Sequence, residues 1–300
     1  MIFQNFTLFS FLKSRLKSSV FRKLTRKSLN VFLRGGDIIS QGPLLNGAHE
    51  RTLTKFIGNS AENGMSDFLI DVGANIGLTS CQNGNSFKKV YCFEPNPLCV
   101  NILKTNLALS LSKGDFEIFD FALGDEDGES DLYVPKHNWG GAFVKDGNTY
   151  ADDLLGEKDE FEGFNSDNYI VNTVKIKNSE IVFNDLFASI LDENLYNGVI
   201  KIDIEGYESK VLLAIANALP SSLNVTIVFE NWDPSFDLIK IKNAFKNRSV
   251  SLLKLQNSII GTNKSKLRKF FEFILFGDKA KLARIEGDDI ITGNIVLMLN

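Results

Sequence analysis

The segment 71–77, Asp-Val-Gly-Ala-Asn-Ile-Gly, constrains the fold more than any other part of this chain. It follows the short apolar run 67–72, which is typical of a buried parallel strand, and a helical pattern begins after it. Glycines at such a turn adopt backbone angles that other residues resist and let a ligand approach the main chain. The N–H groups at the start of the next helix favour an anionic group there. The sequence therefore predicts a ligand-binding turn between a strand and a helix.

Strand and helix patterns alternate along the rest of the chain. Further strands are predicted at 88–93, 115–123, 199–204, 225–230 and 293–299, and helices at 96–109 and 207–218. Such alternation indicates a mostly parallel, doubly wound α/β sheet of the Rossmann-like type. The polar stretch 135–168 has no clear periodicity, and a stretch of that length is typical of a functional or disordered loop.

The turn also discriminates between ligands. Dinucleotide-binding loops have the pattern Gly-x-Gly-x-x-Gly, in which the second glycine makes room for a pyrophosphate. Asn75 occupies that position here. The carboxylate of Asp71 would repel a pyrophosphate but suits an ammonium group. Because the amino acid end of methionine carries an ammonium and a carboxylate, the turn favours a methionine-derived ligand.

Two strand ends extend this interpretation. Glu94 closes the second predicted strand, where a carboxylate can accept hydrogen bonds from both hydroxyls of a ribose. An acid followed by a proline is also typical of an ordinary surface turn. Phe121 and Ala122 close the third predicted strand and either flank an adenine ring or pack in the core.

The order of five segments resembles the FkbM family of methyltransferases. These segments are DVGANIG, FEPNP (93–97), FALGDEDGESDLYV (121–134), VIKIDIEGYE (199–208) and the terminal GNIVLML. The resemblance runs from about residue 66 to 233 and resumes at the last strand. The family often has Asn, Gly and Ser in the loop after the third strand. Here residues 138–142 read Asn-Trp-Gly-Gly-Ala, without an evident serine.

The resemblance implies a class I methyltransferase fold, with a seven-stranded, mostly parallel sheet whose last strand is antiparallel. It also implies S-adenosylmethionine as cofactor and O-methylation, commonly of sugars or polyketide-like natural products. The predicted cofactor-binding residues are Asp71, Gly73, Ala74, Asn75, Gly77, Glu94, Phe121, Ala122 and Asp203.

Methyl transfer to a hydroxyl benefits from a base or a metal near the acceptor oxygen, and carboxylates at strand ends are placed to act as the base. Asp203 is the first candidate, either as that base or as a partner of the methionine ammonium, with helix capping as its structural alternative. Glu230 is predicted to contact substrate or to form a structural ion pair. His137, in the long loop, is the remaining candidate base, although a lone loop histidine is more often incidental. No cluster has metal-ligand spacing, so no metal is predicted.

Charge is distributed unevenly along the chain. Residues 1–36 hold eight Lys or Arg and no acid, whereas the whole chain has a net charge of −4. The acidic remainder argues against nucleic-acid binding, which needs clustered cations. The three cysteines lack metal-site or disulfide spacing, which favours a reducing, cytoplasmic compartment. No run is long enough to span a membrane.

The predicted organisation is a basic amphipathic extension at 1–50 and a methyltransferase domain at 51–300. Within the domain, 135–168 is predicted to cover the active site and 256–288 to be a lid or edge insertion. Residues 1–34 have three interpretations: a packed helix, a helix on an anionic membrane surface, or a transit peptide. No cleavable secretory signal is expected there. The sequence does not predict an oligomeric state.

The predicted function is S-adenosylmethionine-dependent methyl transfer to a hydroxyl of a saccharide, glycolipid or small natural product. Two alternatives stay open at this point. The first is a nicotinamide-dependent oxidoreductase on the same fold, which Asn75 and the lack of a Tyr-x-x-x-Lys pair disfavour. The second is an inert module that retains the cofactor fold.

Overall fold

The computed structural model describes residues 8–24, 29–112, 115–148, 165–246, 248–258, 279–285 and 292–299. Its helices are α1 (Leu8–Leu24), α2 (Gln41–Asn46), α3 (Arg51–Glu62), α4 (Leu78–Asn83), α5 (Pro97–Ser110), α6 (Ser179–Asp192), α7 (Glu208–Ala218) and α8 (Leu238–Ala244). Its strands are β1 (Phe68–Val72), β2 (Lys89–Phe93), β3 (Phe116–Phe119), β4 (Ala122–Gly124), β5 (Gly128–Pro135), β6 (Phe143–Val144), β7 (Tyr169–Asn178), β8 (Asn197–Ile202), β9 (Asn224–Asn231), β10 (Val250–Ser258), β11 (Lys279–Arg284) and β12 (Gly293–Leu299).

The main sheet has the strand order β11-β10-β12-β9-β8-β1-β2-β3. Strands β3, β2, β1, β8 and β9 are parallel, and β12 is antiparallel to both β9 and β10. The predicted Rossmann-like sheet with an antiparallel last strand is therefore confirmed. The predicted count of seven strands is wrong, because β11 pairs with β10 at the edge and adds an eighth.

Both faces of the parallel strands are covered, which explains their largely apolar sequences. Along β1, Phe68, Ile70 and Val72 face a core that includes side chains of α6 and α7. The intervening Leu69 faces a second core, which includes side chains of α3 and α5. The sheet is thus the middle layer of a three-layer sandwich, and its strand ends are free to form a site.

A second, four-stranded sheet has the order β4-β7-β5-β6. The run 115–123, predicted as one strand, is divided between the two sheets: β3 ends at Phe119 and β4 begins at Ala122. In the predicted loop 135–168, a short 3₁₀ turn at Trp139–Gly141 and strand β6 are described. Residues 149–164 of that loop lie outside the described residues.

The segment before α3 is bound to the main body. The buried Asn106 amide pairs with both backbone groups of Phe32, accepting from its N–H at 2.6 Å and donating to its carbonyl at 3.1 Å. It also donates to the Ile76 carbonyl at 2.8 Å. Residues 29–50 therefore pack on the domain although the predicted domain boundary lies at residue 50. By contrast, every side chain of residues 13–23 in α1 is exposed.

A lid or edge insertion was predicted at 256–288. Within this range, strand β11 pairs with β10 and extends the edge of the sheet. The basic and aromatic stretch 264–276 lies outside the described residues.

Candidate active site

A cavity of about 260 Å³ opens at the carboxyl ends of β1 and β8. These neighbouring parallel strands lead to β2 on one side and β9 on the other, so the cavity occupies the point where the strand order reverses. Ligands of open α/β sheets bind at such switch points. The small sheet covers the cavity through Leu132, Phe143 and Val144.

The turn after β1 is shaped by close backbone packing. Gly73 has φ +78°, and a Cβ there would lie 1.9 Å from the carbonyl oxygen of Asp203. A glycine is therefore required for the ends of β1 and β8 to meet. Asn75 also has a positive φ, 50°, and its N–H donates to Glu94 at 2.7 Å.

Glu94 lies at the end of β2 and is buried. Its two carboxylate oxygens accept from the N–H groups of Asn75, at 2.7 Å, and Asn96, at 2.8 Å. Burial raises the pKa of Glu94 to about 7, although these two backbone hydrogen bonds oppose the change. Each oxygen keeps acceptor capacity, so the carboxylate is fixed in position and still able to accept from hydroxyl groups of a ligand.

Lys201 on β8 links two of the predicted acids. Its ammonium lies 3.2 Å from Asp71 and 3.3 Å from Asp203, and it donates to the Gly73 carbonyl at 2.9 Å. Burial alone disfavours the charge, but Asp71 and Asp203 raise the pKa of Lys201 above its usual value. Lys201 is thus a permanent cation beneath the turn.

The predicted contact between Asp71 and the cofactor needs correction. Asp71 is fully buried and does not line the cavity. One of its oxygens accepts from Ser80 at 2.7 Å, and the other faces Lys201. Asp71 therefore supports the turn from below.

The other predicted residues divide into two groups. Those that line the cavity are Gly73, Ala74, Asn75, Glu94, Phe121, Ala122, Asp203 and Glu230. Gly77 and His137 do not line it. Gly77 packs instead against Leu103, which a Cβ at Gly77 would approach to 2.6 Å. His137 belongs to the loop and does not contribute to the wall of this cavity.

Besides Lys201, the wall contains a neighbouring pair of titratable residues that the sequence patterns did not identify. His49 and Glu50 precede α3 and line the cavity, with 3.7 Å between Nε2 and Oε2. Burial lowers the pKa of His49, and burial together with the charge of Asp203 raises the pKa of Glu50 to about 7. No motif marks them, because a long-range contact brings them there: Gln82 of α4 exchanges hydrogen bonds with both backbone groups of His49.

The loop after β5 forms the opposite wall. The N–H of Trp139 donates to the buried Asp37 carboxylate at 3.3 Å, and the guanidinium of Arg34 lies 4.4 Å from the Trp139 ring centroid. Arg34 is itself paired with Asp37 at 3.1 Å. The segment before α3 therefore positions this wall as well.

These residues fit S-adenosylmethionine. Glu94 is suited to the ribose, and the apolar Phe121 and Ala122 to the adenine. Asp203, which follows β8, supplies negative charge for an ammonium group. Within the described ranges, no group of three or more His, Cys, Asp or Glu side chains is arranged to hold a metal ion.

Comparison with known proteins agrees with this assignment. The family model described as the methyltransferase FkbM domain matches residues 71–247. The methyltransferase sdnD of Sordaria araneosa is 27% identical over 177 residues, which cover 56% of this chain and 67% of that protein.

Solved structures are more distant. The O-methyltransferase from Bacillus cereus in complex with SAH has a TM-score of 0.37 and 10% identity, covering 97% of this chain and 91% of that one. The ribosomal protein L11 methylase from Lactobacillus delbrueckii subsp. bulgaricus has a TM-score of 0.36 and 13% identity, covering 85% and 80%. At such TM-scores neither similarity carries weight for function.

The family match begins at Asp71, near the end of β1, and continues beyond α8. It includes Glu94, the loop after β5, Asp203 and Glu230, and it decides against the nicotinamide oxidoreductase and the inert module. The chain therefore belongs to the FkbM methyltransferase domain family and is an S-adenosylmethionine-dependent methyltransferase.

Proposed function

We propose that this methyltransferase transfers a methyl group to a hydroxyl oxygen of a saccharide, a glycolipid or a small natural product. The supporting observation is the composition of the cavity near the end of β8. The carboxylates of Asp203, Glu205 and Glu230 line it, in addition to those of Glu50 and Glu94, and so do the indoles of Trp139 and Trp232.

This combination suits a hydroxyl-rich acceptor. Ionised carboxylates only accept hydrogen bonds, and hydroxyl groups donate them. Indole rings provide flat apolar surfaces against which the C–H faces of a sugar ring can pack. Trp232 is 41% exposed, which makes it accessible to an acceptor larger than the cavity.

Methyl transfer requires two further contributions from the protein. When bound, S-adenosylmethionine supplies a methyl group already activated by the sulfonium, so alignment of the acceptor and removal of its proton remain. Glu230 is the proposed proton acceptor because it lines the cavity, whereas the carboxylate of Asp203 is already paired with Lys201. The Glu230 carboxylate also orients the hydroxyl by accepting a hydrogen bond from it.

An acceptor screen tests this proposal. Purified protein is incubated with methyl-labelled S-adenosylmethionine and panels of saccharides, glycolipids and hydroxylated small molecules, and the products are identified by mass spectrometry. We expect labelled methyl ethers, and Glu230→Gln should lower turnover by roughly 10²-fold, within the usual contribution of a general base. The control is Glu126→Gln, at an exposed turn. Label found only on nitrogen, carbon or sulfur would contradict the proposal.

We also propose that α1 contacts an anionic membrane surface and that the protein works in the cytoplasm. Helix α1 carries Lys13, Arg15, Lys17, Arg22 and Lys23 and no acid. It also exposes the apolar side chains of Leu16, Val20 and Phe21. Cations with exposed apolar groups favour a lipid surface. In the part of the chain that the structure describes, no helix is long and apolar enough to cross a membrane.

The proposed cytoplasmic location is supported by the cysteines. All three are free and buried, which favours a reducing compartment.

A further inference from the structure

Glu50 occupies the position immediately before α3 with an unusual backbone. Its φ of 40° and ψ of 60° are left-handed, a conformation that is costly for a residue with a side chain. The Glu50 side chain makes no capping hydrogen bond to the first turn of the helix. It lines the cavity instead.

The charges around Glu50 leave a negative excess in the cavity. Lys201 pairs with Asp71, which is fully buried, and with Asp203. His49 adds no cation near neutral pH, because burial and Lys201 lower its pKa. One lysine therefore faces three acids, and two of those carboxylates, from Asp203 and Glu50, line the cavity with 34% and 32% of their side chains exposed. Two like charges at one site are unfavourable until a cation joins them.

The strand order separates this pair from the ribose-binding carboxylate. Glu94 follows β2 and Asp203 follows β8, and these strands flank β1 on opposite sides. A ligand that crosses the end of β1 can thus meet Glu94 with one end and Asp203 with the other. Since a ribose suits Glu94, the cationic end of the same ligand suits the Asp203 side.

We propose that Glu50 and Asp203 together bind the ammonium group of the cofactor's methionine portion. Asp203 is supplied by β8, and Glu50 by the segment that precedes the sequence motif. The assignment depends on the cofactor and not on the identity of the methyl acceptor.

Proton release follows from this arrangement. Burial and the charge of Asp203 raise the pKa of Glu50 to about 7, so roughly three-quarters of the Glu50 carboxyls are protonated at pH 6.5. An ammonium group beside Glu50 lowers that pKa, and the proton leaves as the ligand binds. The other groups that act on Glu50 are Lys201 and Asp71, and both remain in place. At pH 6.5 the ligand's own amino group, with a pKa of about 7.7–8.0, stays protonated.

Two ligands isolate the ammonium contact. S-adenosylhomocysteine carries the amino acid end, whereas 5′-methylthioadenosine has the same adenosine and thioether without it. Calorimetric titration measures the affinity of both ligands for the wild type, for Glu50→Gln and for the control Glu62→Gln at the exposed far end of α3. We expect Glu50→Gln to weaken S-adenosylhomocysteine binding roughly tenfold to a hundredfold, the range for a lost charge-assisted hydrogen bond, and to leave 5′-methylthioadenosine binding unchanged.

The wild type alone provides a second readout that does not depend on a variant. Titrations at pH 6.5 in buffers of different ionisation enthalpy should show more protons released with S-adenosylhomocysteine than with 5′-methylthioadenosine. Any contribution of Glu94 is common to both ligands and cancels. Equal proton release for the two ligands, or a Glu50→Gln variant that weakens both ligands alike or neither, would overturn the assignment.

Discussion

Lys201 shows how one side chain joins the two strand ends that form the site. Its ammonium contacts Asp71, Asp203 and the Gly73 carbonyl, and the residue is 4% exposed. A buried ion pair contributes little beyond its desolvation cost, but removing one partner leaves uncompensated charge in the interior. Removal of Lys201 would therefore destabilise the folded protein, because the buried carboxylate of Asp71 would lose its counter-charge.

Replacement of Lys201 by methionine should lower the free energy of unfolding by about 3–5 kcal/mol, because Asp71 would remain buried without its cation. Urea denaturation measures the change. Lys177→Met is the matched control, since Lys177 pairs with Asp127 at 2.7 Å on the surface, where both side chains are exposed. Equal effects of the two substitutions would contradict the role assigned to Lys201.

Glu94 should make the ligand-free protein less stable as pH rises. Its pKa is about 7 in the folded protein, above the usual 4.5 of a glutamate side chain. Because the folded pKa is raised, the favourable contribution is complete below about pH 4.5 and is lost as pH rises through about 7. The total is on the order of 3 kcal/mol.

Thermal or urea unfolding between pH 5 and pH 8 tests this dependence. The wild type should lose stability over that interval, and Glu94→Gln should lose less, because glutamine does not ionise. Glu50, whose pKa is raised in the same direction, leaves a residual slope in the variant. If the two proteins lost stability equally between pH 5 and pH 8, Glu94 would not be the source of the pH dependence.

Among the helices, strands and turns, the correct predictions depend on patterns of neighbouring residues in the sequence. The apolar run of β1, the glycine turn and the acid that closes β2 can be read from adjacent residues, and all three have their predicted positions. The split between β3 and β4 was not predictable in this way. It depends on β4 pairing with β7, which lies far along the chain.

The segment 29–50 illustrates the same limit within the site. Its sequence has no recognisable motif, and the predicted boundary at residue 50 separated Glu50 from the domain. Its place is set by partners remote in sequence, such as Asn106 for Phe32 and Trp139 for Asp37. Contacts of this kind are not encoded in local periodicity.

Two truncations test whether this segment belongs to the site. Removal of residues 1–28 should leave the affinity for S-adenosylhomocysteine unchanged. Removal of residues 1–50 should weaken it at least tenfold, because it deletes Glu50 and the Arg34 and Asp37 contacts of the Trp139 wall. Circular dichroism is used to check that both truncated proteins are folded. Equal affinities would place the functional boundary at residue 50 after all.

The whole molecule combines an acidic body with a basic first helix. This asymmetry was visible in the sequence, because it depends only on composition, whereas the exposure of residues 13–23 is a property of the structure. The fold class and the antiparallel last strand were likewise predictable through the family resemblance. The eighth strand was not, because β11 lies outside the segments that carry the resemblance.

Vesicle co-sedimentation tests the proposed membrane contact of α1. The wild type should bind vesicles containing phosphatidylglycerol, and binding should decrease with salt because the attraction is electrostatic. Deletion of residues 1–28 should abolish it, and neutral phosphatidylcholine vesicles are the control. Undiminished binding by the truncated protein would exclude α1 as the contact.

The cofactor assignment is tested most directly by calorimetric titration of the wild type and Glu94→Ala with S-adenosylmethionine, S-adenosylhomocysteine and NADH. The wild type should bind the methionine cofactor and its product saturably and should not bind NADH. Glu94→Ala should lose most of this affinity while remaining folded. Binding of NADH alone, or cofactor binding unaffected by the substitution, would contradict the site described for this methyltransferase.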